Sequence, residues 1–419
     1  MADVFEKLVK DGGPIGQHRE RAHGYFAFPK LEGELGPRMK FRGKEMIVWS
    51  LNNYLGLVNH PEVRKADAAA AAKYGLGNPM GSRMMSGNTL KHEELERVLS
   101  EFVGREDAMI LNFGYQGIMS AIDALVNRRD VIVYDAEAHA CIVDGVRLHM
   151  GQRYIFKHNN IEDCEKQLHR ATEHVAKTGG GILLITEGVF GMDGCQGKLK
   201  EIAALKKKYD FRILIDDAHG FGYMGPNGAG ADSAQGVTDE IDLYFSTFVK
   251  SMGSIGAFIS GPKAVIDYLR YNIRSQIFAK SLPLPMVDSM LDRMKMIKSM
   301  PELREKLWHI VNRLQNGLRE KGFDIGETNS PVTPIYMKGD LPEATAMVME
   351  LRETYRIFCS IVVYPVIPKG EIIYRLIPTA AHSDEDVDIT LKAFEEAKKK
   401  LDAGAYKGEK IPDMAEVHF

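Results

Sequence analysis

From residue 104 to about residue 261, short apolar runs alternate with stretches of helical period, and no other feature limits the fold so tightly. The runs lie at 108–112, 131–134, 181–186, 212–215, 243–246 and 256–260. Helical patterns at 116–125, 162–176 and 199–208 separate them. The runs lack period-two polarity, so both faces of each strand are expected to be buried. Strands of that kind joined by helices predict an α/β fold, with a mostly parallel sheet covered by helices.

The flanks read differently. Residues 1–48 predict a helix and an irregular arm, with Pro29 and Pro37 as breakers and a short strand-like run at 45–49. A large domain is expected over 49–285. After Pro283-Leu284-Pro285 comes a long helical stretch, 286–321, whose methionines read as core packing. Strand candidates at 332–337, 357–361 and 371–377 and a last helix at 384–401 predict a smaller C-terminal α+β domain over 286–403. The remainder, 404–419, reads as a polar tail.

At 419 residues the chain is too long for one ordinary core. Its 45% hydrophobic and 26% charged content is that of a water-soluble globular protein. A formal net charge of -3 gives no reason to expect nucleic acid as a partner. Cys141, Cys164, Cys195 and Cys359 form no C-x-x-C pair, so neither a metal site nor a disulfide framework is expected. Reduced thiols point to a cytoplasmic location. The start, MADVFEKLVKDGGPIGQ, is too charged for a secretion signal. No apolar stretch has membrane-spanning length, so a lipid precursor would be met from the water side, on a carrier, or through peripheral membrane contact.

Four segments carry candidate chemistry. Ile213-Leu214-Ile215-Asp216-Asp217-Ala218-His219-Gly220 is a strand ending in two acids and a histidine. Ligands of open α/β sheets bind beyond the carboxyl ends of strands, where an Asp can serve a metal, a proton or a cationic ring. The plain alternative is a capped loop. Ser246-Thr247-Phe248-Val249-Lys250 sets a lysine just after another strand. Such lysines are mostly solvated, but a nucleophilic one needs this kind of partly buried site. Asn112-Phe113-Gly114-Tyr115 is a glycine turn at a helix start, a place for phosphate. Asp135-Ala136-Glu137-Ala138-His139 brings a histidine past a strand, where its ring could lie on an aromatic cofactor.

In this order the segments resemble the α-oxoamine synthases, a family of fold-type I pyridoxal-phosphate (PLP) enzymes. The resemblance runs from about Tyr25 to Leu401. It takes in Asn52-Asn53-Tyr54-Leu55-Gly56, Gly81-Ser82-Arg83, Gly114-Tyr115, His139, Met192-Asp193-Gly194, Asp216 to Gly220, Lys250, Arg375 and Ala380-Ala381-His382. It implies the PLP-dependent transferase fold type I. It further implies that Lys250 holds PLP as a Schiff base and that Asp216 pairs with the pyridine nitrogen. His219 would bond the ring oxygen and His139 would stack on the ring. Gly114, Tyr115 and Thr247 would hold the phosphate. Asn52, Ser82 and Arg375 would face the substrate. No metal is implied. A homodimer with the active site at its interface is expected, using an amino acid and an acyl thioester carried by CoA or an acyl carrier protein.

The departures bear on the substrate. Gly191 stands where the family often has Ser, Cys195 where Asp is usual, and Val249 where Ser or Gly commonly precedes the lysine. The stretch 75–81 includes the unusual pair Asn78-Pro79. In Phe278-Ala279-Lys280-Ser281, Lys280 replaces a small residue. Its plain reading is a solvated or phosphate-supporting lysine. Its functional reading is a cation for an anionic amino-acid side chain, as in L-cysteate. The expectation is therefore decarboxylative condensation of L-cysteate with a long-chain acyl thioester, giving 3-ketocapnine for sulfonolipid synthesis. Serine, giving 3-ketosphinganine, is the alternative. A 2-amino-3-ketobutyrate CoA ligase-like enzyme, another enzyme of aminotransferase fold and a silent partner subunit are the remaining ones.

Overall fold

The computed structural model describes residues 3–16, 19–77 and 79–408. Asn78 and the predicted tail from residue 409 onward lie outside the described residues. The chain forms two units, one over Asn52–Leu307 and one joining the segment up to Leu51 with that from Trp308 onward.

The first unit holds a seven-stranded sheet. Its spatial order is Asp107–Leu111, Ala257–Gly261, Leu243–Thr247, Arg212–Asp216, Ile182–Glu187, Val131–Asp135, Gln152–Phe156. Ala257–Gly261 runs antiparallel to both neighbours, and the other pairings are parallel. All six predicted strands appear within a residue or two of their expected ends. Gln152–Phe156 is a seventh that periodicity missed. It is an edge strand with exposed Gln152 and Arg153, so it lacks the apolar run of a strand buried on both faces. Ile122, Ile142, Leu214, Phe245 and Ile259 belong to the core packed against this sheet.

Four strands end on a polar residue: Asp135, Glu187, Asp216 and Thr247. Apolar side chains fill the strand bodies and polar ones stand at the carboxyl edge, where the backbone leaves the sheet and a ligand can reach it.

The helical stretch 286–321 is two helices, Leu284–Ser299 and Pro301–Glu320. Pro301 has no N–H to continue the first helix and suits the first turn of the next. Leu284–Ser299 packs on helices Pro61–Tyr74 and Leu90–Phe102, with Met290, Met294 and Ile297 buried. Arg293 donates to Asp67 at 2.7 and 3.0 Å. The pattern change at Pro285 therefore marks new secondary structure, and the compact unit continues to Leu307.

In the second unit, Arg38–Phe41 pairs with Lys44–Val48, and Ile357–Phe358 lies parallel to the latter. The predicted N-terminal arm thus shares a sheet with the C-terminal segment. A second sheet has the order Thr333–Tyr336, Ile373–Leu376, Ser360–Val362. The single strand expected at 357–361 is split at Cys359 between the two sheets. Trp49 stacks on His382 with centroids 3.9 Å apart, and its Nε1 donates to Thr390 Oγ1 at 2.9 Å. Arg352 is only 1% exposed. Its guanidinium sits 4.1 Å from the Phe358 ring centroid and donates to the carbonyls of Tyr25 (2.6 Å) and Cys359 (2.9 Å). Among the described residues no helix is long and apolar enough to cross a membrane.

Arg352→Ala removes a desolvated cation–π contact and strands two buried carbonyls. A loss of about 3 kcal/mol is expected in chemical denaturation followed by circular dichroism. A midpoint equal to that of the parent would show that Arg352 does not hold this unit.

Candidate active site

The carboxyl edge of the large sheet gathers a dense set of titratable groups. Asp216 ends the strand Arg212–Asp216 and is 5% exposed. Its Oδ1 accepts the Ala218 N–H at 3.0 Å. Among the described residues, its Oδ2 receives only a long contact from Cys141 Sγ, 3.9 Å away. One carboxylate oxygen is thus left for a strong donor. A protonated pyridine nitrogen is a donor of that kind.

Glu187 stands opposite Asp216 in the parallel register. Burial, and then the charge of Asp216, push its carboxyl well above the usual range. Its Oε1 accepts the backbone N–H of His139 at 2.6 Å. His139 caps the helix Ala140–Leu148, and its Nδ1 lies 2.8 Å from Cys141 Sγ. Burial lowers the imidazole's pKa, Asp216 opposes that, and Lys250 adds to it. The Lys250 charge also acts on Glu187 and Cys141, the same groups that feel Asp216. Lys250, Asp216 and His139 therefore share one electrostatic neighbourhood.

A second focus lies where the helix Gly114–Leu125 begins. Its N-cap, Phe113, makes no side-chain cap bond, so the first-turn N–H groups lack that partner. Thr247 Oγ1 is buried with no hydrogen-bond partner. A Cβ on Gly114 would stand 2.4 Å from Thr247 Cγ2, so only glycine allows this approach. An orphaned hydroxyl beside a bare helix start suits a phosphate, and the PLP phosphate fits this cradle. Tyr115 is next on the helix, with its ring centroid 6.2 Å from that of His139. Its hydroxyl donates to Asp144 Oδ2.

The two acids of the 216–217 pair divide their work. Asp217 is fully buried, and its Oδ2 accepts from the Ala231 N–H and Tyr244 Oη, both at 2.8 Å. Burial, and then Asp232, raise its carboxyl well above the usual range. It anchors the loop that carries His219. The His219 Nδ1 lies 2.7 Å from Tyr54 Oη. A Cβ on Gly191 would stand 2.3 Å from His219 Nε2. The missing serine at 191 thus has a spatial reason: the imidazole lies against the bare backbone.

Asn112, just before the phosphate cradle, donates through Nδ2 to the Lys280 carbonyl. The Lys280 ammonium is exposed and donates to the Met80 carbonyl at 2.9 Å. Ser82 is half-buried, and its carbonyl accepts from Met85 and Gly87. Next to it, Arg83 pairs with the buried Glu96 at 2.8 and 3.0 Å. Asn52 is half-buried at the start of this unit, and Arg375 is half-buried on Ile373–Leu376 of the other.

Sequence reasoning missed Glu187, Cys141 and Tyr54 as site residues. Glu187 carries the same signal as Asp216, an acid ending an apolar run. Tyr54 lies inside a segment that carries the family resemblance. Cys141 is only two residues from His139, but no spacing rule shows its thiol turning toward His139 Nδ1 at the helix start.

The model of the aminotransferase class I and II family matches residues 44–394. A cysteate-C-fatty acyltransferase from Capnocytophaga ochracea is 62% identical over 407 residues, 97% of each chain. A serine palmitoyltransferase from Bacteriovorax stolpii is 36% identical over 378 residues, 90% of this chain and 88% of its own. A solved serine palmitoyltransferase variant from S. paucimobilis, with bound PLP–myriocin aldimine, has a TM-score of 0.88 at 29% identity. That match covers 96% of this chain and 100% of the other. The cofactor is pyridoxal 5'-phosphate. Fold, cradle and similarity agree: the chain belongs to the aminotransferase class I and II family, in its α-oxoamine synthase branch of PLP-dependent acyltransferases.

Proposed function

We propose that this enzyme condenses L-cysteate with a long-chain acyl thioester, losing CO2, to form 3-ketocapnine, the first step of sulfonolipid synthesis. The carrying observation is the 62% identity, over 97% of both chains, to a protein named for cysteate acylation. Identity to the serine-named relative is 36%. The reaction belongs in the cytoplasm, with CoA or an acyl carrier protein as the thioester carrier and two copies of the chain forming the enzyme.

PLP, when bound, supplies an electron sink for the substrate's α-carbon. The chain does the rest. Asp216 Oδ2 would hold a proton on the ring nitrogen, beside Glu187, whose carboxyl is raised well above the usual range. Glu187 also fixes the His139 backbone, which would position the imidazole to stack on the ring. Thr247 Oγ1 and the N–H groups after Phe113 grip the phosphate. His219 Nε2 serves the ring oxygen while Tyr54 holds Nδ1. The Lys250 Nζ takes the α-proton of the amino acid. The resemblance gives Arg375 the substrate carboxylate, through two parallel hydrogen bonds, with Asn52 and Ser82 orienting it. Lys280 offers the ammonium for the sulfonate, exchanging its bond to the Met80 carbonyl for a charged partner.

Absorption spectra of the holoenzyme with a panel of amino acids test the substrate. L-cysteate should shift the cofactor band at concentrations where L-serine and glycine leave it unchanged. An equal or stronger response to serine would overturn the cysteate assignment. Each turnover should release one CO2 and one thiol, which a transaminase would not do.

Lys250→Ala should abolish covalent retention of the cofactor and lower kcat by about 10³-fold or more. Full turnover in this variant would remove the lysine from the chemistry. Lys280→Ala should raise KM for L-cysteate about tenfold, a loss of roughly 1.4 kcal/mol, with bound PLP unchanged. Lys280→Arg should restore most of it. An unaltered KM in Lys280→Ala would show that the sulfonate binds elsewhere.

A further inference from the structure

Beside the cofactor site, three side chains from distant parts of the chain converge with no role in the chemistry above. His158 Nε2 lies 3.2 Å from Asp193 Oδ2 and 3.2 Å from Cys195 Sγ. The Cys195 thiol lies 2.9 Å from Asp193 Oδ2. These are one imidazole nitrogen, one carboxylate oxygen and one sulfur, all facing one another. We propose that His158, Asp193 and Cys195 form a zinc site that pins the 191–195 turn to the ends of two strands.

The surroundings of the triad fit a metal. The other ring nitrogen, His158 Nδ1, donates to Asp135 Oδ1 at 2.9 Å, and Asp135 is fully buried. A carboxylate behind a ligating histidine fixes its tautomer and aims its free nitrogen at the metal. Burial raises the Cys195 thiol to about 11, so a metal must displace its proton, and the Asn159 Nδ2 donation to Sγ at 3.2 Å would then support the thiolate. The Cys195 backbone N–H reaches Asp193 Oδ1 at 3.0 Å and orients that carboxylate. His158 and Asp193 side chains are each 20% exposed, so an ion can enter and a water can complete four-coordination.

Size and charge also agree. Ligand atoms of a tetrahedral zinc stand about 3.3–3.8 Å apart, so this triad opens by only a few tenths of an ångström. A dication that displaces the Nε2 proton of a protonated His158 and the Cys195 thiol proton leaves the net charge of the cluster unchanged. A sulfur, a nitrogen and a carboxylate together select zinc over the hard cations magnesium and calcium. The consequence reaches the cofactor pocket, because the pinned turn includes Gly191, whose backbone lies against His219.

The test uses PLP-loaded enzyme stripped with a chelator and titrated with Co²⁺, whose tetrahedral ligand-field bands lie in the red, clear of the cofactor. One Co²⁺ per protomer should bind, with a thiolate charge-transfer band, and Zn²⁺ should displace it. Cys195→Ser should lose that band and weaken Zn²⁺ binding at least tenfold in calorimetry. Asp135→Asn, behind the histidine, should weaken it about 10–100-fold. Cys359→Ser should leave binding intact, and all three variants should retain PLP. Zn²⁺ should also raise the melting temperature of the parent and not that of Cys195→Ser. Absence of stoichiometric Co²⁺ binding, or a charge-transfer band that survives Cys195→Ser, would overturn the proposal.

Discussion

Asp216 stands at the end of a buried strand, and the rest of the site is organised around its carboxyl group. Burying a carboxylate is costly unless its oxygens are bonded or its neighbours stay neutral. The Ala218 N–H takes one oxygen. Burial and the charge of Asp216 raise the carboxyl of Glu187, directly opposite, well above the usual range, which limits competing negative charge at that edge. The parallel register therefore sets the electrostatics of the strand edge as well as the shape of the sheet.

Glycines do comparable work at the two ends of the pocket. Gly114 admits Thr247, and Gly191 admits the imidazole of His219. In each case a methyl group would stand where a side chain of the cofactor site now lies. The change from serine to glycine at 191 thus alters the space around His219 and not only the count of hydroxyls. Asp217 holds the same loop from behind through Tyr244 and Ala231. The His158 cluster holds the facing turn.

Much of this was readable in linear order because strand ends and helix starts are local events. Asp216, Thr247, His139 and Gly114 each sit where an apolar run stops or a helix begins, and those junctions show in periodicity. Gln152–Phe156 was hidden because an exposed edge strand needs no apolar run. Glu187 was passed over because its meaning depends on which strand lies beside it. Cys195 read as a lone departure, since its partner His158 is 37 positions away and no spacing rule links them.

Residue pattern alone determined the α/β class and six of the seven sheet strands, and the family resemblance singled out Lys250, Asp216 and His139. The pattern follows from backbone sterics and side-chain periodicity, which act over a few residues. Only the folded chain decided that the N-terminal arm shares a sheet with the C-terminal segment, that Leu284–Ser299 packs within the larger unit, and that the carboxyl of Glu187 is raised beside Asp216. Those outcomes come from burial and from charges brought together across long loops. Their energies depend on distance in space, which residue order does not encode.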